Sequence, residues 1–137
     1  MEILLEGKQI KILGEEYIGR AVYTAINLAE MAGFARTAQF MIATAVSELS
    51  TNIYYYAKEG EIGISIIKNG KKEGIEIVAL DNGPGIKDIN LAMRENFSSR
   101  GSLGLGLPGV KRLMDEFLID SHLGKGTKII ARKWIKN

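Results

Sequence analysis

The apolar residues of this chain fall at helical spacing over residues 15–57 and at strand spacing on either side, and that layout restricts the fold more than any other feature. From Glu15 to about Met31 the apolar positions are Ile18, Val22, Ile26, Leu28 and Met31, which predicts a first helix stopped by Gly33. A second helix is predicted from about Thr37 to Ala57, with Phe40, Met41, Ala45, Leu49 and Ile53 as its inward stripe and Gly60 at its end. Residues 61–68 and 74–80 then read as two strands joined by a turn at Asn69-Gly70. Ahead of the helices, two apolar runs at 2–5 and 9–13 are split by Glu6-Gly7-Lys8, which reads as a hairpin.

Beyond Leu80 the pattern changes. A polar turn at 81–85 is followed by a short helical piece at about 88–93. Residues 94–106 are polar and glycine-rich and read as a mobile loop. Pro108 suits the first turn of a helix whose apolar face is Val110, Leu113, Met114 and Phe117. Strands at 118–122 and 127–134 close the chain around a turn at Gly124-Lys125-Gly126. The order is strands, two helices, two strands, loop and helix, two strands. This is not a βαβ repeat. It predicts an α+β fold: a two-layer sandwich with the helices on one face of a mixed, mostly antiparallel sheet.

Composition narrows the function classes. A length of 137 residues suits one domain over 1–137. Such a chain buries about 65–70% of its unfolded surface, enough for one core. With 18 basic against 16 acidic residues the net charge is +2, too balanced to point to nucleic acid or a membrane surface. The modest basic end (Lys128, Arg132, Lys133, Lys136) reads as a solvated strand edge. The absence of cysteine removes disulfides, thiolate metal sites and thiol nucleophiles. The first residues do not resemble a signal peptide, and no apolar run reaches the ~18 residues of a membrane helix. A cytoplasmic location is therefore the expectation. Glycine stands out, at 16 residues against 2 prolines, and much of it clusters late in the chain.

Three places can carry chemistry. Glu48 and Asn52 lie one helical turn apart, about 6 Å, on the second predicted helix. Taken alone they are also two ordinary surface residues. As a pair they can do more: a carboxylate can take a proton from an attacking hydroxyl, and an amide oxygen suits Mg²⁺. Asp81-Asn82-Gly83-Pro84-Gly85 follows the apolar run IEIVAL and reads equally as a plain turn. In the functional reading, Asp81 at the end of a buried strand needs a donor, and an adenine amino group supplies one. Gly83 and Gly85 would let a flat base approach the backbone. The third place is the run from Gly101 to Gly109, which opens the last helix with exposed amides suited to phosphate. It also matches G-x-G-x-x-G through Gly104, Gly106 and Gly109, but the polar residues before it are not the buried strand a dinucleotide loop follows. Arg100 reads either as solvated or as a partner for a terminal phosphate. The segment Gly124-Lys125-Gly126-Thr127 reads as a hairpin turn, and His122, in a late strand, as structural.

The order of these pieces says more than any one of them. Glu48-x-x-x-Asn52, Asp81-x-Gly83-x-Gly85, Gly104-x-Gly106 and Gly126-Thr127 resemble the N, G1, G2 and G3 boxes of the GHKL ATPase superfamily. The short chain and the helix ELSTNIYYYA resemble its anti-sigma and switch serine-protein kinases, most closely the stressosome (RsbT-type) switch-kinase branch. The resemblance implies a Bergerat-type ATP-binding fold and a kinase that uses ATP and Mg²⁺. It implies Glu48 as general base toward a serine, Asn52 as the Mg²⁺ ligand, and Asp81 on the adenine amino group with help from Thr127. It also implies Gly83 and Gly85 shaping the adenine pocket, and Arg100, Gly104, Leu105 and Gly106 in a lid over the phosphates. Tyr56 stands where many anti-sigma kinases carry histidine. The implied substrate is a serine on a STAS-domain antagonist protein, with a downstream regulatory enzyme as a further partner. The rival reading is a nucleotide-gated module that acts by sequestering its partner. A histidine kinase catalytic domain is disfavoured because no helical pair with a phosphorylatable histidine precedes the domain.

Overall fold

The computed structural model describes residues 2–86, 93 and 106–136. The short helix expected at 88–93, apart from Met93, and the loop at 94–105 with Arg100, Gly104 and Leu105 lie outside the described residues. The sheet has five strands: β1 (Glu2–Ile12), β2 (Gly60–Asn69), β3 (Lys72–Asp81), β4 (Glu116–Ser121) and β5 (Thr127–Trp134), in the order β1-β2-β3-β5-β4. A mixed, mostly antiparallel sheet was the expectation; every described pairing is antiparallel. Helices α1 (Glu16–Ala32) and α2 (Arg36–Asn52) cover one face, and α3 (Leu107–Leu113) packs against α2.

Alternation in the strands explains the core. Ile62, Ile64 and Ile66 of β2, Ile75, Ile77 and Ala79 of β3, and Ile129 and Ala131 of β5 face the helices and are buried. Each such isoleucine contributes roughly 1.5–3 kcal/mol by leaving water. The helices answer with Ala21, Ala25, Leu28 and Ala29 from α1 and Ile42, Ala45, Val46, Leu49 and Ile53 from the α2 side. Small residues on α1 let the two helices approach closely.

α1 ends as Gly33 predicts. Gly33 has φ 101, its N–H bonds to Glu30 O at 3.0 Å, and the Phe34 N–H bonds to Ala29 O at 3.0 Å. This is the Schellman arrangement, with Phe34 buried behind it. The β2–β3 hairpin pairs Asn69 with Lys72, so the loop is Gly70-Lys71, one residue later than read from the sequence. Gly70, at φ 64, supplies the positive φ that a two-residue hairpin needs at its first central position.

Four expectations are corrected. Residues 2–12 form one strand, not a hairpin: Gly7 pairs with Ser65 of β2, and a register shift between Leu4 and Glu6 absorbs the polar interruption. Phe40 is 53% exposed and drops out of the inward stripe of α2, where Ile42, Ala43 and Val46 join the expected Ala45 and Leu49. The last helix stops at Leu113, so Phe117 belongs to β4. β5 captures the chain there: Asp115 N–H bonds to Arg132 O at 2.8 Å, and Lys133 Nζ donates to Leu113 O at 2.7 Å. For the same reason the basic end is not wholly solvated, since Lys133 is buried and Arg132 bridges Glu76 and Glu116.

Candidate functional site

Close backbone approaches gather the described members of the predicted set at one end of the sheet. α2 carries Glu48 and Asn52, both half-buried, and then widens into a π-helical turn at Ile53–Ala57. π turns are rare and cluster at functional sites. Lys58 follows at φ 70, the one non-glycine residue with positive φ among the described residues. The turn brings Ala57 against the polar turn after β3: a Cβ on Gly83 would lie 2.6 Å from the Ala57 Cβ. Gly85, at φ 77, leaves no room for a side chain against the His122 carbonyl. Gly106, at φ 70, sits at the start of α3 with the Glu48 carboxylate where its Cβ would be. Only glycine meets both demands, left-handed backbone and no side chain, at these two positions.

Asp81 ends β3 and pairs with Thr127 across β3 and β5, while Thr127 pairs with Ser121 across β5 and β4. The three side chains form one row on the helix side of the sheet. Gly83 N–H donates to Asp81 Oδ1 at 2.9 Å, closing the turn. Burial pushes the Asp81 carboxyl above the usual carboxylate range, and the backbone N–H groups of Gly83 and Thr127 counter this only in part. A half-buried carboxylate with raised proton affinity is a group short of donors, which a ligand can supply.

Nothing in the sequence singles out Ser121, yet it links the turn after β3 to the β4–β5 turn. It is buried, accepts the Ile86 N–H at 2.8 Å, donates to Gly126 O at 3.1 Å and lies 2.7 Å from Thr127 Oγ1. Gly124 N–H donates to Pro84 O at 2.6 Å, a second tie between the β4–β5 turn and the turn after β3. The only sequence signal for Ser121 is its place at the end of a strand opposite Thr127. His122, expected inside a strand, lies just beyond β4 with its side chain exposed and paired to Asp120 at 3.1 Å. What it lends the site is its backbone carbonyl, against Gly85.

An antiparallel sheet with helices on one face, and a polar row framed by tight glycine loops at one end, defines an ATPase-type α/β sandwich. Residues 38–136 match the histidine kinase-, DNA gyrase B- and HSP90-like ATPase family, and the chain belongs to that family. It is 48% identical over 127 residues to the serine/threonine-protein kinase RsbT of Bacillus subtilis (strain 168), covering 93% of this chain and 96% of that protein. It is 40% identical over 100 residues to the anti-sigma F factor of Thermoanaerobacter sp. (strain X514), covering 69% and 68%. Among solved structures, the nucleotide-free catalytic domain of histidine kinase ThkA superposes with a TM-score of 0.54 at 14% identity, over 94% of this chain and 95% of that one. That likeness establishes the shared fold.

Proposed function

We propose that this protein is an ATP-dependent serine-protein kinase that phosphorylates a STAS-domain antagonist protein in a partner-switching stress response. The observation that carries the reading is the seat of Glu48. Its carboxylate stands against Gly106, at the opening of α3, one turn from Asn52. In this reading the amides around Gly104, Leu105 and Gly106 hold the phosphates, Arg100 meets the terminal phosphate, and Glu48 takes the proton of the substrate serine. Asp81, Gly83, Gly85 and Thr127 form the adenine pocket. Phosphoryl transfer needs mainly positioning and charge neutralisation, which this set supplies.

Asn52 fits a Mg²⁺ role of a limited kind. One amide oxygen beside one carboxylate suits an ion that keeps its waters and shares phosphate oxygens, and no group of three or more acidic, histidine or cysteine side chains forms a cage among the described residues. When bound, Mg²⁺ would neutralise phosphate charge. We assign the protein to the cytoplasm, with a downstream regulatory enzyme as a second partner; no described helix is long and apolar enough to cross a membrane.

The test is transfer of labelled phosphate from ATP to STAS-domain proteins of the same genome. Glu48→Ala should lower transfer by about 10²–10⁴-fold while leaving partner binding intact. If the intact protein transfers phosphate to no such protein, the kinase reading is wrong. The anti-sigma F factor relatives support a second reading, a nucleotide-gated module that acts by sequestering its partner. It predicts ATP-dependent partner binding that Glu48→Ala leaves unchanged, with no phosphate on the partner.

A further inference from the structure

The hydrogens of the Ser121 cluster can be counted. A serine hydroxyl has one proton to give and two lone pairs to accept with. The Ile86 N–H can only donate to it, and the Gly126 carbonyl can only accept from it. With its proton on Gly126 O and one lone pair on Ile86 N–H, Ser121 Oγ has one lone pair left, facing Thr127 Oγ1 at 2.7 Å. The arrangement that satisfies all three partners therefore makes Thr127 the donor to Ser121. The reverse arrangement, Ser121 donating to Thr127, takes the serine proton away from the Gly126 carbonyl. Ser121 is 5% exposed, so a lost partner there would leave a buried polar group unsatisfied.

This fixes what Thr127 can offer a ligand. With its proton committed to Ser121, the Thr127 hydroxyl presents only lone pairs. Asp81, beside it in the same row, also presents only lone pairs when ionised. Two neighbouring acceptors match an exocyclic amino group, which carries two N–H donors. They mismatch a carbonyl oxygen at that position, which would leave three acceptors facing one another with no proton between them.

We propose that Ser121 is a specificity-determining positioning residue. By drawing the Thr127 proton away from the pocket, it makes the base site accept a 6-aminopurine nucleotide and reject a 6-oxopurine one. Asp81 supplies one acceptor directly; Ser121 supplies the second by acting through Thr127. This rests on the nucleotide-site reading above and adds a residue and a discrimination mechanism to it.

The test is equilibrium binding of ATP and inosine triphosphate, which differ at this position, to the full chain. The unmodified protein should prefer ATP. In Ser121→Ala the Thr127 hydroxyl is free to turn its proton toward the pocket, and the preference should fall by about tenfold, the scale of one hydrogen bond. Ser121→Thr keeps the hydroxyl and should keep the preference. Thr127→Val should lower the preference as Ser121→Ala does, and adding Ser121→Ala to it should change nothing further. Equal weakening of both nucleotides in Ser121→Ala, or an additional drop in the double variant, would overturn the proposal. If the unmodified protein bound neither nucleotide, the nucleotide site itself would be refuted and this proposal with it.

Discussion

At the scale of single residues, the most informative group is Asp81. Its carboxyl is half-buried, and desolvation raises its pKa against the pull of two backbone N–H groups. The folded protein therefore holds a proton there more tightly than the unfolded chain does. The sign follows from linkage: this group favours folding fully below its unfolded value of 3.8, and that contribution is lost as pH rises through the raised folded value. At neutral pH the ionised carboxylate is a mild burden on the empty site and an asset only once a ligand brings donors. Asp81→Asn should therefore leave the melting temperature at pH 7 unchanged or slightly higher, while weakening ATP binding by about 10–100-fold, the scale of a hydrogen bond to a charged group. Paired thermal melts and ATP titrations at pH 7 check both halves. A variant that loses stability at pH 7 and keeps ATP affinity would contradict this account of the residue. The same site shows what a sequence can display. The glycine clusters at 83–85 and 104–109 are visible because they stand in order with Glu48, Asn52 and Thr127, whereas Ser121 is invisible because a serine at a strand end has many uses and its tie to Ile86 spans 35 positions.

The secondary-structure elements were legible where local signals agreed. The first helix was read as 15–31 and runs Glu16–Ala32, because apolar spacing and a terminal glycine point to the same boundary. The β2–β3 hairpin was legible from its turn residues, although its loop, Gly70-Lys71, lies one residue later than Asn69-Gly70. Misreadings arose where a long-range partner decided the outcome. Glu6-Gly7-Lys8 looks like a turn in isolation, but β2 pairs with β1 on both sides of the shift at Leu5, and Gly7 lies flat against Ser65. Helical spacing continues through Phe117, but Asp115, Lys133 and Arg132 pull the chain into the sheet after Leu113. Apolarity alone places Phe40 in the α2 stripe, but the residue lies outside it, where Arg36 stacks over its ring. The Gly33 cap gives this scale its prediction. A Cβ there would meet Ile135 Cδ1 at 3.8 Å, an ordinary contact, so the cost of Gly33→Ala is backbone strain alone. About 1–2 kcal/mol follows from the left-handed conformation, a drop in Tm of about 4–8 °C. Urea unfolding should show a lower midpoint with an unchanged slope. An unshifted midpoint would mean the cap does not hold this conformation in solution.

Over the whole molecule, the two faces of the sheet have separate work. The helix face carries the core and, at one end, the row Asp81–Thr127–Ser121. The opposite face carries a polar network that ties β3, β4 and β5: Arg132 bridges Glu76 at 2.8 Å and Glu116 at 3.1 Å, and the Trp134 indole N–H donates to Glu116. Trp134 lies over Gly74 with Lys72 above its ring. The Glu76–Arg132–Glu116 row stands five ladder positions from the Asp81–Thr127 row, about 17 Å along the strands, and on the other side of the sheet. Perturbations of the two should therefore add without coupling. The Trp134 hydrogen bond is the largest influence on Glu116 and, with Arg132, holds its carboxyl below the usual range despite some desolvation. For a lowered carboxylate the linkage runs opposite to that of Asp81: its stabilisation is present above the unfolded value of 4.5 and is lost as pH falls through the lower folded value. Because the Glu116 side chain is 44% exposed, solvent screening limits the gain to about 0.5 kcal/mol, or about 2 °C in Tm. Glu116→Gln keeps an acceptor for Trp134 and removes only the charge. Its Tm should sit about 2 °C below that of the unmodified protein at pH 7 and converge with it as the pH is lowered through that window, while ATP affinity stays the same at neutral pH. A gap in Tm that persists in acid would mean that the Glu116 contribution is not its charge, and a change in ATP affinity would mean that the two faces of the sheet are coupled.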